Sequence, residues 1–169
     1  MWLKIRHNME IAHRLSKDTT KCKQIHGHGM QIELAFENLE MGENGMAVTR
    51  FGSVMEFGSM KRKFRDHIDN MYDHHLVLNE TDPFAGPIYR IVGIPIQTEG
   101  KVEFDGEQTF LPGLTTCPGE PTVENLAMWI GEWAAATFQS DVLCAIEETK
   151  TNGAVVRVVW TGTGTKVVR

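Results

Sequence analysis

At 169 residues and a formal charge of −5, the chain is sized for one domain, or one domain with an insertion, and carries no basic footprint for nucleic acid. Its apolar share of 41% and charged share of 23% are those of an ordinary globular protein, and no apolar run approaches the ~20 residues that span a bilayer. Three cysteines at irregular spacing give no disulfide framework and fit a reducing compartment, the cytoplasm.

The first element in the chain is a strand. Ile5, Met9, Ile11 and His13 fall at alternate positions with Arg6, Asn8 and Glu10 between them, the period of a half-buried strand. The N-terminus therefore reads as a histidine-bearing strand and not as a cleavable signal. His7 shares the parity of His13 and is expected to pack or to sit at an edge. From His26 to Phe36 the alternation returns, with His26, His28, Met30, Ile32, Leu34 and Phe36 on one parity and Gly27, Gln31 and Glu33 on the other. If the polar segment 14–25 closes an antiparallel hairpin, His13 ends one strand where His26 and His28 begin its neighbour. Strands lie roughly 5 Å apart, so three imidazoles converge on one sheet face. Neutral imidazoles are ready zinc ligands, and a catalytic zinc site uses three protein ligands with one position open.

Cys22 stands in the connecting loop between Lys21 and Lys23. Nearby positive charge or a metal favours the thiolate, the form that acts as nucleophile, base or ligand. Two roles stay open for it: a reactive group beside the metal, or a fourth ligand that closes a structural site. Cys117 and Cys144 have no such surroundings, and Cys144 is expected to be a small buried apolar group.

Phe57, Met60, Phe64, Ile68 and Met71 recur at three- and four-residue steps and predict an amphipathic helix whose Lys61-Arg62-Lys63 and Arg65 face solvent. Just past it comes Asp73-His74-His75, in which a carboxylate beside an imidazole can fix its tautomer and let it carry protons. The stretch 82–113, with Pro83, Pro87, Pro95 and Pro112, reads as a hairpin insertion with turns at Glu99-Gly100 and Asp105-Gly106. Thr122 is placed to cap a second helix with the stripe Leu126, Ala127, Ile130, Ala134 and Phe138. Val142–Ile146 and Ala154–Trp160 predict two more strands joined at Asn152-Gly153, with Glu148 at a strand end. The expected architecture is α+β, in the order strand, strand, helix, helix, strand, strand. It is a single domain over 1–169 whose four-stranded antiparallel sheet carries two helices on one face and an insertion at about 82–113. Exposed sheet edges point to self-association into a homo-oligomer.

Taken together, the segments Ile11-Ala12-His13-Arg14-Leu15, Cys22-x-x-x-His26-Gly27-His28 and Val54-Met55-Glu56-Phe57-x-x-Met60-Lys61 carry a resemblance, as do Asp73-His74, Leu78-Asn79, Pro121-Thr122-Val123-Glu124-Asn125-Leu126-Ala127 and Glu148-Thr149. Over most of its length the chain resembles the 6-pyruvoyltetrahydropterin synthase / 6-carboxytetrahydropterin synthase family. The resemblance implies the tunnelling fold, a trimer or dimer of trimers with sites between subunits, and a pterin triphosphate substrate, 7,8-dihydroneopterin triphosphate. It implies zinc on His13, His26 and His28, and Cys22 as catalytic base or nucleophile. Asp73 and His74 become a proton-transfer pair reaching in from a neighbouring subunit. Glu148 becomes the grip on the pterin edge, and Thr122 part of the seat for its ring. The three-residue gap between Cys22 and His26 resembles the 6-carboxy branch of 7-deazaguanine and queuosine biosynthesis; the alternatives are the pyruvoyl reaction and a non-catalytic oligomer that binds pterin or zinc.

The chain departs from the pattern at Glu56, where the family has aspartate, and at Gly29-Met30, where it has a polar–aromatic pair. One extra residue between His74 and Leu78-Asn79 leaves His75 as a rival for the imidazole role. The insertion is longer than typical. Arg14, Lys21 and Lys23 are the geometric choices for the triphosphate.

Overall fold

The computed structural model describes residues 1–92, 102–104, 107–109 and 113–168. In chain order the strands and helices are β1 (Leu3–His13), β2 (His26–Phe36), β3 (Glu40–Met41), β4 (Ala47–Val48), α1 (Phe57–Met71), β5 (Leu76–Asn79) and α2 (Ala85–Val92). They continue as β6 (Val102–Phe104), β7 (Glu107–Thr109), β8 (Leu114–Cys117), α3 (Val123–Phe138), β9 (Val142–Glu147), β10 (Gly153–Trp160) and β11 (Thr165–Val168). Two compact units divide them: residues 1–8, 30–65 and 123–169 form the first, and 9–29 with 66–122 the second. No helix among the described residues is long and apolar enough to cross a membrane.

In the first unit the alternation of β2 does what its period dictates. Met30, Ile32 and Leu34 are buried and Gln31 is exposed, while Glu33 takes ion pairs from Lys4 (2.7 Å) and Arg6 (2.5 Å). β2 pairs antiparallel with β9, setting Ile32 against Ile146 and Leu34 against Cys144, and β9 continues antiparallel into β10 and β10 into β11. The turn between β9 and β10 is built on Thr149, whose hydroxyl accepts from the Thr151 and Asn152 amides. Helix α3 lies on β9 and β10, and every residue of the expected stripe is buried. Trp133 of α3 stacks on Phe64 of α1 at 6.5 Å, and Phe138 meets Phe36 edge-on at 5.2 Å. The Glu56 carboxylate accepts from the Gly58 and Ser59 amides at 2.7 and 2.6 Å, so the residue in place of the family's aspartate caps α1. Those amide bonds hold its carboxyl below the usual range.

In the second unit, β1 pairs parallel with β5 (Ala12 with Leu76, His13 with Val77), and β5 pairs parallel with β8. The Asp82 carboxylate accepts from the Phe84 amide at 2.8 Å at the start of α2. From this unit Leu78, Ala85 and Leu114 form a buried cluster with Leu76 and Ile88.

The sheet thus differs from expectation. Seven strands hydrogen-bond in the order β11-β10-β9-β2-β1-β5-β8, where four antiparallel strands were expected, and the described residues hold three helices, not two. β5 and β8 are short, parallel and largely buried, so Leu76-Val77-Leu78 shows no alternation to read. α2 was hidden by Gly86-Pro87, yet a proline in the first helical turn lacks only an amide that has no partner there. The insertion does contain a hairpin: β6 and β7 pair antiparallel, Phe104 against Glu107. The 94–96 run and the turn residues at 99–100 and 105–106 lie outside the described residues.

Gly131 of α3 is the point of closest helix–sheet approach. A Cβ there would sit 3.0 Å from Val158 Cγ2 and 3.2 Å from Cys144 Cβ, both on fully buried residues that cannot yield. Gly131→Val should therefore cost about 2 kcal/mol by overpacking, with Gly131→Ala milder, read as urea midpoints.

His67 of α1 gives a second test. Burial pushes its imidazole down to about 4 from 6.5. Between those values the unfolded chain binds the extra proton, so this group's stabilisation is complete above pH 6.5 and is lost as pH falls toward 4. In zinc-free protein, His67→Phe should remove about 2–3 kcal/mol of the stability difference between pH 7 and pH 4. An unchanged difference would mean that His67 is already solvated in the fold.

Candidate metal centre and its surroundings

The odd parity of β1 and the even parity of β2 carry their histidines inward. His13 is buried, and His26 and His28 are half-buried. The cross-strand contacts confirm opposite strand directions within this unit: Ile11 meets Gly27, and Glu10 meets Gly29. Ring centroids of His13 lie 4.5 Å from His26 and 5.3 Å from His28, and those of His26 and His28 are 5.2 Å apart. One nitrogen from each ring falls within 4.8 Å of the others. A tetrahedral zinc with ~2.05 Å bonds needs nitrogens about 3.3 Å apart, which small ring rotations supply.

Tautomers fit the same purpose. His13 Nδ1 lies 2.8 Å from the Pro121 carbonyl, and His26 Nδ1 lies 2.8 Å from the Gln24 carbonyl. A carbonyl only accepts, so each Nδ1 carries the proton and each Nε2 keeps its lone pair for a cation. Burial drives the His13 imidazole down to about 4 against the raising pull of Pro121, with His26 and His28 lowering it further. Zinc binds that neutral form. The donor set, tautomers and spacing all fit the metal.

Cys22 lies on a single 3-10 turn, Lys21–Lys23, half-buried, with its carbonyl accepting from the Leu15 amide at 2.9 Å. It is outside the group of mutually close donors, which consists of the three imidazoles. The thiol is thus not gathered with the three imidazoles. Cys117 and Cys144 are buried with their thiols pushed up to about 12, so Cys22 is the accessible sulfur.

Asp73 and His74 form a pair, His74 Nδ1 to Asp73 Oδ2 at 2.7 Å. Glu10 of β1 clamps them by its backbone: its amide donates to Asp73 Oδ1 at 2.7 Å, and its carbonyl accepts from the His74 amide at 2.6 Å. His74 takes a left-handed φ of 61°, a cost that these two bonds offset, and its side chain stays 72% exposed. His75 is buried against Thr115 Oγ1 at 2.7 Å, and that hydroxyl donates to the Met71 carbonyl. Of the two rivals, His74 is the one paired with the carboxylate.

Arg14 is not placed for a phosphate. It is buried, donating from Nε to the Lys23 carbonyl (3.0 Å) and from Nη1 to Asp82 (3.1 Å), with its guanidinium 3.9 Å over Phe84. Lys21 and Lys23 are exposed. Thr122 immediately precedes α3, where a cap belongs. Glu148 follows β9 in the first unit. Sequence reasoning missed the Pro121 and Gln24 carbonyls, because any residue type supplies one; Pro121 just before the helix start was the available cue.

An α+β fold whose adjacent strands gather three imidazoles that could hold a metal ion, with an Asp–His pair fastened to the backbone of β1, defines the candidate site. The family model described as 6-pyruvoyl tetrahydropterin synthase matches residues 3–158, and the chain belongs to that family. Similar curated proteins are the 6-carboxy-5,6,7,8-tetrahydropterin synthases of Rickettsia conorii, 30% identical, and Rickettsia bellii, 28% identical. Each match runs over 81 residues, 48% of this chain and 54% of the relative, so the alignment spans about half the length of these relatives.

Among solved structures, an uncharacterized protein from Wolinella succinogenes matches at a TM-score of 0.60 and 20% identity, covering 93% of this chain and 98% of that one. The Caenorhabditis elegans 6-pyruvoyl tetrahydropterin synthase matches at 0.55 and 17%, covering 93% and 94%. These two share the fold.

Zinc titration separates the roles. His13→Ala, His26→Ala and His28→Ala should each weaken zinc binding by more than the ~10–100-fold of an outer-shell change, while Cys22→Ala and Asp73→Ala keep wild-type affinity. Weakened binding in Cys22→Ala would make the thiol a ligand.

Proposed function

We propose that the protein is a zinc-dependent 6-carboxy-5,6,7,8-tetrahydropterin synthase of the cytoplasm. It would convert 7,8-dihydroneopterin triphosphate to 6-carboxytetrahydropterin with release of acetaldehyde and triphosphate, in 7-deazaguanine and queuosine biosynthesis. The observation that carries this reading is the convergence of His13, His26 and His28, with Cys22 outside their donor set. The names of the Rickettsia relatives support the 6-carboxy product.

When bound, zinc polarises the hydroxyls of the substrate side chain and makes their protons easier to remove. The remaining work belongs to this chain. Cys22, as thiolate, accepts a proton from the substrate side chain, and its turn is fixed by the bond from the Leu15 amide. Asp73 holds His74 by its Nδ1, which directs the opposite nitrogen outward as the second proton carrier. Glu148 accepts from the N–H edge of the pterin, and Thr122 seats the ring. Lys21 and Lys23 are exposed, and in this reading they meet the triphosphate. An imidazole 72% exposed has little shelter from water, which agrees with a homo-oligomer in which another copy covers it.

A second reading, 6-pyruvoyltetrahydropterin formation by triphosphate elimination, is favoured by the name of the matching family model. Zinc-loaded protein incubated with 7,8-dihydroneopterin triphosphate, with products identified by mass spectrometry, decides between them. Carboxytetrahydropterin with acetaldehyde is the expected outcome, a pyruvoyl product moves the assignment to the second reading, and no conversion overturns both. In the same assay Cys22→Ala should lose about 10²–10⁴-fold in turnover with zinc retained. Full turnover by that variant would remove the thiol from the mechanism.

A further inference from the structure

The loop after β1, the end of β5 and the segment before α3 meet at one carboxylate. Glu120 Oε1 accepts from Ser16 Oγ at 2.7 Å and from Asn79 Nδ2 at 2.9 Å. Asn79 is itself fixed and buried: its Oδ1 accepts from the Thr81 amide at 3.0 Å and from the Thr81 hydroxyl at 2.9 Å. Two side-chain donors on one carboxylate oxygen tie the three segments into one hub, because each charge-assisted bond is stronger than a neutral one. Although burial opposes ionisation, these bonds keep the Glu120 carboxyl below its usual range.

The residue after the hub is Pro121, whose carbonyl holds His13 Nδ1 at 2.8 Å. Three residues before Ser16 is His13 itself. Both ends of the His13···Pro121 bond are thereby tied to the same carboxylate within a few bonds. The Glu120 amide plane also fixes the peptide that carries the carbonyl, since the Glu120 carbonyl accepts from the Thr122 amide at 2.8 Å across Pro121. Proline adds its own locked φ at the centre of that turn.

We propose that Glu120 is a positioning residue for the histidine centre. By fastening the Ser16 hydroxyl and Asn79 to the segment carrying Pro121, it holds the Pro121 carbonyl against His13 Nδ1 and keeps His13 Nε2 as the metal-facing nitrogen. Without the hub the 119–122 segment is free to swing off, and His13 divides between its two tautomers. Only one of these presents a lone pair toward His26 and His28. The inference rests on the zinc reading of the histidine trio, and its test separates the two.

Zinc affinity is measured by competition with a chromophoric chelator for the wild type, Glu120→Ala, Glu120→Gln and Ser16→Ala. The tautomer of His13 is read in zinc-free protein from the nitrogen-15 shifts of its ring. The wild type should bind one zinc per chain and show His13 protonated on Nδ1. Glu120→Ala should bind about 10–100-fold more weakly and show mixed tautomers, with the other ring signals unchanged. Glu120→Gln and Ser16→Ala, which each keep part of the hub, should fall between, and they carry the test if Glu120→Ala does not fold. Gly131→Ala, which strains the fold in the other unit, should leave zinc affinity and tautomer as in the wild type, excluding a general effect of lowered stability. Wild-type affinity and an Nδ1–H tautomer in the Glu120 variants would overturn the positioning role while leaving the zinc reading intact. A wild type that binds no zinc would overturn the zinc reading itself, and the ring shifts would then still report on the Glu120–Pro121–His13 linkage.

Discussion

A slip of one residue in β1 against its neighbours would turn Ile5, Met9 and Ile11 outward, and His13 with them. Ile5, Met9 and Ile11 are 4% exposed or less, and Met30, Ile32 and Leu34 of β2 are 1% or less. Burial of these six side chains, each contributing ~1.5–3 kcal/mol, locks the parity of both strands. The inward placement of three imidazoles then follows without further specification. Hydrophobic burial sets the geometry of the histidine trio, which occupies the end positions of a pattern the core has already fixed.

Such a placement has an electrostatic cost that the surroundings turn to use. A buried imidazole that must remain uncharged destabilises the fold at acidic pH, and His13, driven down to about 4, is such a group. Its neutrality is also the condition for ligating a cation, so the same desolvation that penalises the proton leaves a lone pair available. The carbonyls of Pro121 and Gln24 decide which nitrogen that is. Cys22 is held differently, on a half-buried turn whose ends are tied by Arg14 to Lys23 and by Leu15 to Cys22. Arg14 is also held by Asp82 and Phe84, so a basic residue next to His13 is spent inside the fold.

What the sequence revealed divides along a physical line. Elements with one wet face were legible: β1, β2, β9 and β10 alternate, and α1 and α3 carry stripes at helical spacing. Elements without that contrast were not. β5 is an apolar run closed by Asn79, β8 reads Leu-Thr-Thr-Cys, and α2 opens on Ala-Gly-Pro, a signal for a turn. The site splits in the same way. His13, His26 and His28 were legible because strand parity alone predicts where they point. His74 and His75 were not separable, since the choice turns on a left-handed backbone at His74 and on Thr115, 40 residues further along the chain. Arg14 was misassigned because its partners, Asp82 and the Lys23 carbonyl, are brought to it by folding. Chemistry carried by residue type is visible in a sequence; chemistry carried by backbone carbonyls is not.

The two chemical groups of the second unit are anchored to the same strand in opposite ways. His13 extends from the buried parity of β1, so its position is set by packing. Asp73 and His74 are fastened to the backbone of Glu10, a residue of the exposed parity three positions earlier, about 10 Å along the strand. Packing contributes little to that pair, because the imidazole is 72% exposed. Two short hydrogen bonds and a strained φ hold it instead. Residues kept in a sparsely populated backbone region need surroundings that over-determine them, and the reciprocal bonds of Glu10 do so here. The exposed parity of β1 is therefore as specified as the buried one: one face positions His13 through the core, and the backbone at the other positions the Asp73–His74 pair through hydrogen bonds.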